Sequence, residues 1–280
     1  MTKPRALLLA NFGKPGVNDA VMRAEGHLKS WARTARRDLS ESVENERVRA
    51  DFGLVFGGDG AILAAARRVA RAGVPLLGVN LGKLGFLAEI NPEELISTLD
   101  GLREAIPEPI ERMMLQAEIL RNGGRIRRCT AVNDIVISRE AFSRIIEMTV
   151  YINEEEVNTF MGDGLICSTC VGSTAHSLAA GGPIIEPHTE ALVISPICPH
   201  TLTNRPLVVA SSSVVELRVA SRSVSFALTA DGQVMVELEN NDRIRMMRNP
   251  WPLRLLKVSG RSFFETLRTK LGWEGSPKHA

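Results

Sequence analysis

Aromatic residues are scarce in this 280-residue chain, at 5% with a single tyrosine, and there are only four cysteines. Four scattered thiols in a chain this long exclude a disulfide-stapled secreted scaffold and point to a reducing, cytoplasmic setting. Long apolar runs are missing too. Stretches such as Ala6 to Ala10 and Leu76 to Val79 fall far short of the ~20 residues that cross a bilayer, so no membrane partner is expected. The N-terminal stretch, basic and then briefly apolar, has no A-x-A cleavage site and reads as a first strand rather than a secretory leader. An excess of one charge is also absent. The 34 Lys and Arg against 32 Asp and Glu leave a net charge of +2, which gives no global case for a nucleic-acid partner. Internal repeats, low-complexity tracts and Gly/Ser or Pro-rich linkers are likewise lacking.

What is present is ordinary globular material, 44% hydrophobic and 24% charged, with enough length for two moderate domains and a sizeable core. The first hundred residues alternate apolar strands with helical patterns: a strand Arg5 to Asn11, a helix near Asp19 to Arg36, a strand Gly53 to Phe56, a helix Ala61 to Ala72 and a strand Val74 to Val79. That alternation predicts parallel βαβ units. The Ala61–Ala72 helix keeps Ile62, Ala65, Ala66 and Val69 on one side, stops at Gly73 ahead of Pro75, and turns Arg67, Arg68 and Arg71 to water. The basic run Arg33 to Arg37 reads as a solvated helix face. From Met113 onward, short period-two runs with turns at Asn122-Gly123-Gly124, Asn153 to Glu156 and Asp231-Gly232 predict a largely antiparallel β domain. The fold expected is therefore an α/β N-terminal domain over 1–108 plus a β-rich, antiparallel, sandwich-like C-terminal domain over 109–259. A terminal helix within 260–280 is expected to pack back on the first domain.

The sharpest local feature is Val55-Phe56-Gly57-Gly58-Asp59-Gly60, set between a buried strand and a helix. Its three glycines allow positive φ and close approach of a ligand, and the helix N-terminus behind them favours phosphate oxygens. A carboxylate in a phosphate loop would repel its ligand unless it acts as a base, orients a hydroxyl or meets a cation. Asp59 is thus the catalytic candidate, the plainer alternative being a helix cap. Two better-known motifs fit poorly. Gly58-x-Gly60-x-x-Leu63 lacks the third Gly or Ala of the dinucleotide fingerprint, and Gly78 to Leu84 grazes the Walker A pattern but puts Leu84 where a hydroxyl should stand.

A second feature, Gly162 to Pro183, is dense in glycine and small hydroxyl residues, which suits a segment lying flat against a ligand. It contains Cys167-x-x-Cys170, and with Cys198 and His200 a zinc site has to be weighed; none is expected. His188 and His200 read as structural.

Taken with Asn133-Asp134, the Asn80-Leu81-Gly82-Lys83-Leu84-Gly85-Phe86 run and Pro196 to Leu207, these motifs resemble the NAD kinase family, in the family's order and over most of the chain. The resemblance implies an ATP-dependent enzyme that phosphorylates the 2′-hydroxyl of the adenosine ribose of NAD, with Mg²⁺ as divalent cation, and a homo-oligomer, dimer or tetramer. By position it makes Asp59 the base or orienter, with Gly57, Gly58 and Gly60 forming the phosphate-donor loop. NAD contacts fall on Asp59, Gly60, Phe86, Asn133, Asp134, Arg144, Asp163, Thr174, Ala175, His176, Ala179 and Gln233. Five positions depart from the family pattern: Ala61 for threonine, Met161 for arginine, and Cys170, Val171 and His176 for the proline, threonine and tyrosine of its Ser-Thr-Pro-Thr-Gly-Ser-Thr-Ala-Tyr-like stretch. The rival enzyme class is lipid kinases of the diacylglycerol and sphingosine type, which share the Gly-Gly-Asp-Gly turn. The rival of another class is a dinucleotide-binding sensor without turnover.

Overall fold

The computed structural model describes residues 3–41, 43–82, 85–139, 145–201, 203–220 and 225–273. In chain order its elements are β1 (Arg5–Ala10), α1 (Val17–Leu28), β2 (Arg33–Asp38), β3 (Phe52–Phe56), α2 (Asp59–Val69), β4 (Leu76–Val79), α3 (Leu95–Glu104) and β5 (Ile110–Arg112). There follow β6 (Leu115–Arg121), β7 (Gly124–Ala131), β8 (Asp134–Arg139), β9 (Ile146–Ile152), β10 (Glu155–Gly162), β11 (Gly164–Thr169) and α4 (His176–Ala179). The chain continues through β12 (Ala191–Ile197), β13 (Leu207–Ala210), β14 (Val215–Ala220), β15 (Phe226–Ala230), β16 (Val234–Leu238), β17 (Arg243–Arg248), β18 (Leu253–Leu255) and α5 (Phe263–Leu271). It forms two compact units, Met1–Glu111 with Leu253–Ala280, and Arg112–Pro252.

The first unit is built on a sheet of order β2-β1-β3-β4-β18-β5, with β1 parallel to β2 and β3, and β4 parallel to β3 and β18. Its central strands are buried along nearly their whole length, as parallel strands covered on both faces require, and so they read as continuous apolar runs. Ala6, Leu8, Phe52, Leu54 and Phe56 pack with Val21 and Leu28 of α1 and Leu95 and Leu99 of α3. The alternate face takes α2, whose Ile62, Ala65, Ala66 and Val69 are all buried. Because β1 is flanked by β2 on one side and β3 on the other, the chain reverses its direction of travel across the sheet at the β1/β3 pair. Ligands of open α/β sheets gather outside the carboxyl ends of the strands at such a reversal, and Gly57 to Asp59 leave the carboxyl end of β3.

Two expectations are corrected in this unit. The Arg33–Arg37 run is strand β2 rather than helix, because α1 ends at Leu28 and the chain turns back through Trp31 to pair with β1. As an edge strand it has a free side that tolerates cations, and Arg36 and Arg37 pair with Glu25 and Glu46. Arg67 and Arg68 are buried, not solvated. Residues 45 and 46 lie along the end of α2 through Asn45 N–H to Arg67 O and Glu46 N–H to Arg68 O, and Arg68 Nε donates to Glu46 Oε2 at 2.5 Å. Neither contact leaves a trace in local periodicity.

The second unit has two antiparallel sheets, β10-β9-β14-β17-β6-β7 and β13-β12-β11-β8-β15-β16. Apolar residues alternate along the strands, as at Ile146, Met148 and Val150 of β9 or Val215, Leu217 and Val219 of β14, and meet Ile135, Ile137, Leu165 and Leu228 of the other sheet in one core. The expected hairpin turns are present. Asn153 and Glu154 both have positive φ, as do Asp231 and Gly232, which matches the twist of the strands they join.

Candidate functional site

In the first unit the Gly57–Gly60 turn is shaped by few residues. Gly57 alone of this set has positive φ, at 146°, while Gly58 is extended and stands at the helix N-cap. Asp59 is therefore the first helical residue of α2 and is not its cap. Its half-buried carboxylate reaches across to the loop after β4, where Phe86 N–H donates to Oδ2 at 2.8 Å and Leu87 and Ala88 N–H donate to Oδ1 at 3.0 and 3.3 Å. The same loop is tightened by Asn80, whose side chain bonds both the N–H and the C=O of Gly82. Phe86 turns its ring toward Phe263 of α5, with centroids 6.2 Å apart. A carboxylate has about four lone-pair sites, and three amides occupy most of them at Asp59. The group that sequence reasoning makes a base or orienter is the fastener of residues 86–88.

The second unit repeats the device. Asp231, in the β15–β16 turn and 8% exposed, accepts from Val132 N–H at 3.1 Å, Asn133 N–H at 2.8 Å and Asp134 N–H at 3.4 Å. Gly172 packs so closely on the main chain of Asn133 that a β-carbon there would lie 2.0 Å from its carbonyl oxygen. Thr169 completes the corner, its N–H donating to Asn133 O and its hydroxyl to Val132 O. Sequence reasoning missed Asp231 and saw only a turn, because Asp-Gly is an ordinary hairpin pair and burial of its carboxylate depends on a strand some hundred residues away.

This corner presents Asp134. Its side chain is 1% exposed, yet neither carboxylate oxygen has a hydrogen-bond partner. His176 Nδ1 stands 3.5 Å from Oδ2, beyond the length of a well-formed hydrogen bond. Burial raises the Asp134 carboxyl from 3.8 to about 6; His176 works against that rise, and the nearby Asp231 charge adds to it. On β11, Cys167 lies wholly inside, its thiol pushed up to about 12 by burial, with the Asp134 charge contributing. Cys170 donates to Thr189 O and Ala191 O, and Cys198 is exposed.

The structure brings Asn133, Asp134 and His176 together, with Gly232 beside the imidazole, at 3.7 Å from where its β-carbon would be. Thr174 and Ala175 lead into α4, Ala179 ends it, and Gln233 follows Gly232 at the surface. Asp163 is not in this group. It precedes β11, ion-paired with Arg139 at 2.6 Å, and since Asp134 and Arg139 are the two ends of β8 the separation is five residues at ~3.4 Å each, roughly 17 Å. Arg144 lies outside the described residues. Among the described residues no group of three or more His, Cys, Asp or Glu is arranged to hold a metal ion, and no helix is long and apolar enough to cross a membrane.

Residues 16–105 match the family description of the ATP-NAD kinase N-terminal domain and residues 132–258 that of the ATP-NAD kinase C-terminal domain. The chain is 45% identical over 230 residues to an NAD kinase of Geobacter sulfurreducens, covering 82% of this chain and 81% of that one. It is 42% identical over 278 residues to one of Geobacter sp. strain M21, covering 96% and 95%. Among solved structures, yeast NADH kinase complexed with NADH superposes with a TM-score of 0.87 at 21% identity over 100% of this chain and 91% of that chain. An NAD kinase from Archaeoglobus fulgidus in complex with ATP gives 0.76 at 23% identity over 97% and 100%. The two solved structures speak for the fold, and the two family descriptions together with the long, well-covered relatives decide the rest: this chain belongs to the NAD kinase family.

Proposed function

We propose that the protein moves the terminal phosphoryl group of ATP onto the 2′-hydroxyl of the adenosine ribose of NAD, forming NADP. The observation that carries this reading is Asp134, a carboxylate 1% exposed whose two oxygens have no hydrogen-bond partner. Orphaned buried polar groups are costly, and the hydroxyls of a sugar are donors that would satisfy both oxygens. Asn133, Thr174, Ala175, His176, Ala179 and Gln233 belong with it as dinucleotide contacts. Phosphoryl transfer asks mainly for alignment and charge neutralisation. In this reading the Gly57–Gly60 turn is the phosphate-donor loop; the Gly57 N–H is already given to Val79 O, so phosphate oxygens are received at the turn beyond it, by the N-terminus of α2. Asp59, with most of its acceptor sites already taken by residues 86–88, acts as orienter of the hydroxyl rather than as base, with Phe86 fixed beside it.

The donor set of the described residues builds no all-protein cage for an ion. A divalent cation such as Mg²⁺ would come on the phosphates of ATP with its own waters and would supply neutralisation of phosphate charge. A cytoplasmic homo-oligomer, dimer or tetramer, completes the reading. The test is incubation of purified protein with ATP, Mg²⁺ and NAD, followed by an NADP-specific readout. Formation of NADP that stops in excess EDTA is expected. Absence of NADP sinks the reading, and undiminished turnover in EDTA removes the cation from it.

A further inference from the structure

His176 stands where the resembling family carries a tyrosine, and the substitution changes what faces Asp134. A phenol brings no positive charge to a buried carboxylate; an imidazole does so when protonated. The groups around Asp134 can be named element by element. From β8 comes the carboxylate itself, 1% exposed and with both oxygens unpartnered. The β15–β16 turn brings Asp231, a second carboxylate, and β11 brings the Cys167 thiol, which lies wholly inside. Helix α4 brings His176, with Nδ1 3.5 Å from Asp134 Oδ2 and a side chain 62% exposed. The surroundings on β15 and β11 are thus acidic or apolar, while the imidazole is basic and open to solvent protons. We propose that His176 is a positioning residue for Asp134: its imidazole, 3.5 Å away, holds the buried carboxylate turned toward α4, ready to accept hydrogen bonds from the hydroxyls of the dinucleotide.

The inference rests on the reading of Asp134 as a dinucleotide-binding residue, and it makes a sign-dependent claim that a packing role would not. Burial and Asp231 push the carboxyl up, to about 6, and His176 pulls it down. Removing the imidazole leaves the upward effects unopposed, so protonation of Asp134 moves toward neutral pH. A fixed cation at the same position moves it the other way. The exposure of His176 makes both changes compatible with folding.

The experiment is a carbon-13 NMR titration of the Asp134 carboxyl in protein labelled at aspartate, for wild type, His176→Gln and His176→Lys. Each protein is also measured for NAD affinity by calorimetry from pH 5 to 8. The Gln variant is expected to titrate about one pH unit higher than wild type, and the Lys variant lower, as an opposite charge within ~4–6 Å requires. NAD affinity should fall on acidification with the same order of midpoints. Coincident carboxyl titrations, or Gln and Lys shifting the same way, overturn the proposal. Carboxyl titrations that shift as expected, with NAD affinity flat across pH in all three proteins, would instead overturn the assignment of Asp134 to the dinucleotide while leaving the pair intact.

Discussion

Gly85 and Asp59 approach so closely that a β-carbon on Gly85 would lie 1.9 Å from Asp59 Oδ1. The contact is what lets the carboxylate reach the amides of residues 86–88. Gly85→Ala must therefore push Asp59 or its loop aside. Since misplacement by an ångström can cost ~10²-fold in rate, kcat/KM is expected to fall by about that factor, with a stability loss of roughly 1–3 kcal/mol from overpacking. Steady-state kinetics beside thermal melts checks this, and wild-type kinetics would show that the fastening does not matter to turnover.

Asp59→Asn tests the carboxylate without adding volume. An amide side chain keeps one acceptor but sets an NH₂ against main-chain N–H donors. Turnover is expected to drop by about 10²-fold, as for a misplaced reacting group, while NAD affinity holds, and stability to fall by ~1.5–3 kcal/mol as charge-assisted bonds are lost. Unchanged turnover would remove Asp59 from the mechanism.

Asp231→Ala should weaken NAD binding although Asp231 is not itself assigned to the ligand. Three consecutive amides, Val132 to Asp134, lose their acceptor, and buried donors left unsatisfied cost about 1–3 kcal/mol each. A lower Tm together with weaker NAD binding is the expected pair of results. Loss of stability with unaltered affinity would confine Asp231 to folding.

Asp134→Asn should trade binding for stability, and the sign follows from the direction of the shift. The folded protein holds the Asp134 proton up to about 6 against an ordinary 3.8. The group's contribution to stability is therefore full below the ordinary value and is lost as pH rises through about 6. At pH 7.5 the wild type carries a buried charge that Asn does not, so the variant is expected to be more stable there by roughly 1–3 kcal/mol, with the advantage shrinking toward pH 4.5. Melts at the two pH values, alongside a fall in NAD affinity, check both halves. A variant less stable than wild type at pH 7.5 would contradict the burial cost.

Arg68→Ala probes the corrected helix. Arg68 is 4% exposed and pairs with Glu46, which keeps Arg37 as a second partner, so its removal orphans no charge and costs a charge-assisted hydrogen bond, about 1.5–3 kcal/mol. Denaturant unfolding should register a loss of that order, whereas a solvated arginine would register almost none.

Local chemistry in the sequence was enough for the element types, the change from βαβ alternation to antiparallel hairpins and the Gly57–Gly60 turn. Each rests on short-range rules: periodicity of burial, left-handed turn residues, apolar strands meeting helix starts. The Arg33–Arg37 strand escaped those rules, because a basic edge strand and a solvated helix face share one composition, and only pairing with β1 separates them. The burial of Arg67 and Arg68 escaped for a similar reason, since residues 45 and 46 cover them from outside the helix.

Asp59, Asn133 and Asp134 could be singled out by motif and resemblance, but their surroundings could not. That Asp59 is bonded to residues 86–88, that Asp231 braces residues 132–134 across some hundred residues, and that His176 faces the open oxygens of Asp134 are decisions of tertiary structure. Residue type and spacing along the chain determined which groups are available as donors, acceptors and charges. Which of them are left unsatisfied and buried, and so ready for a ligand, depends on long-range packing, since burial and hydrogen-bond partners are properties of neighbours in space.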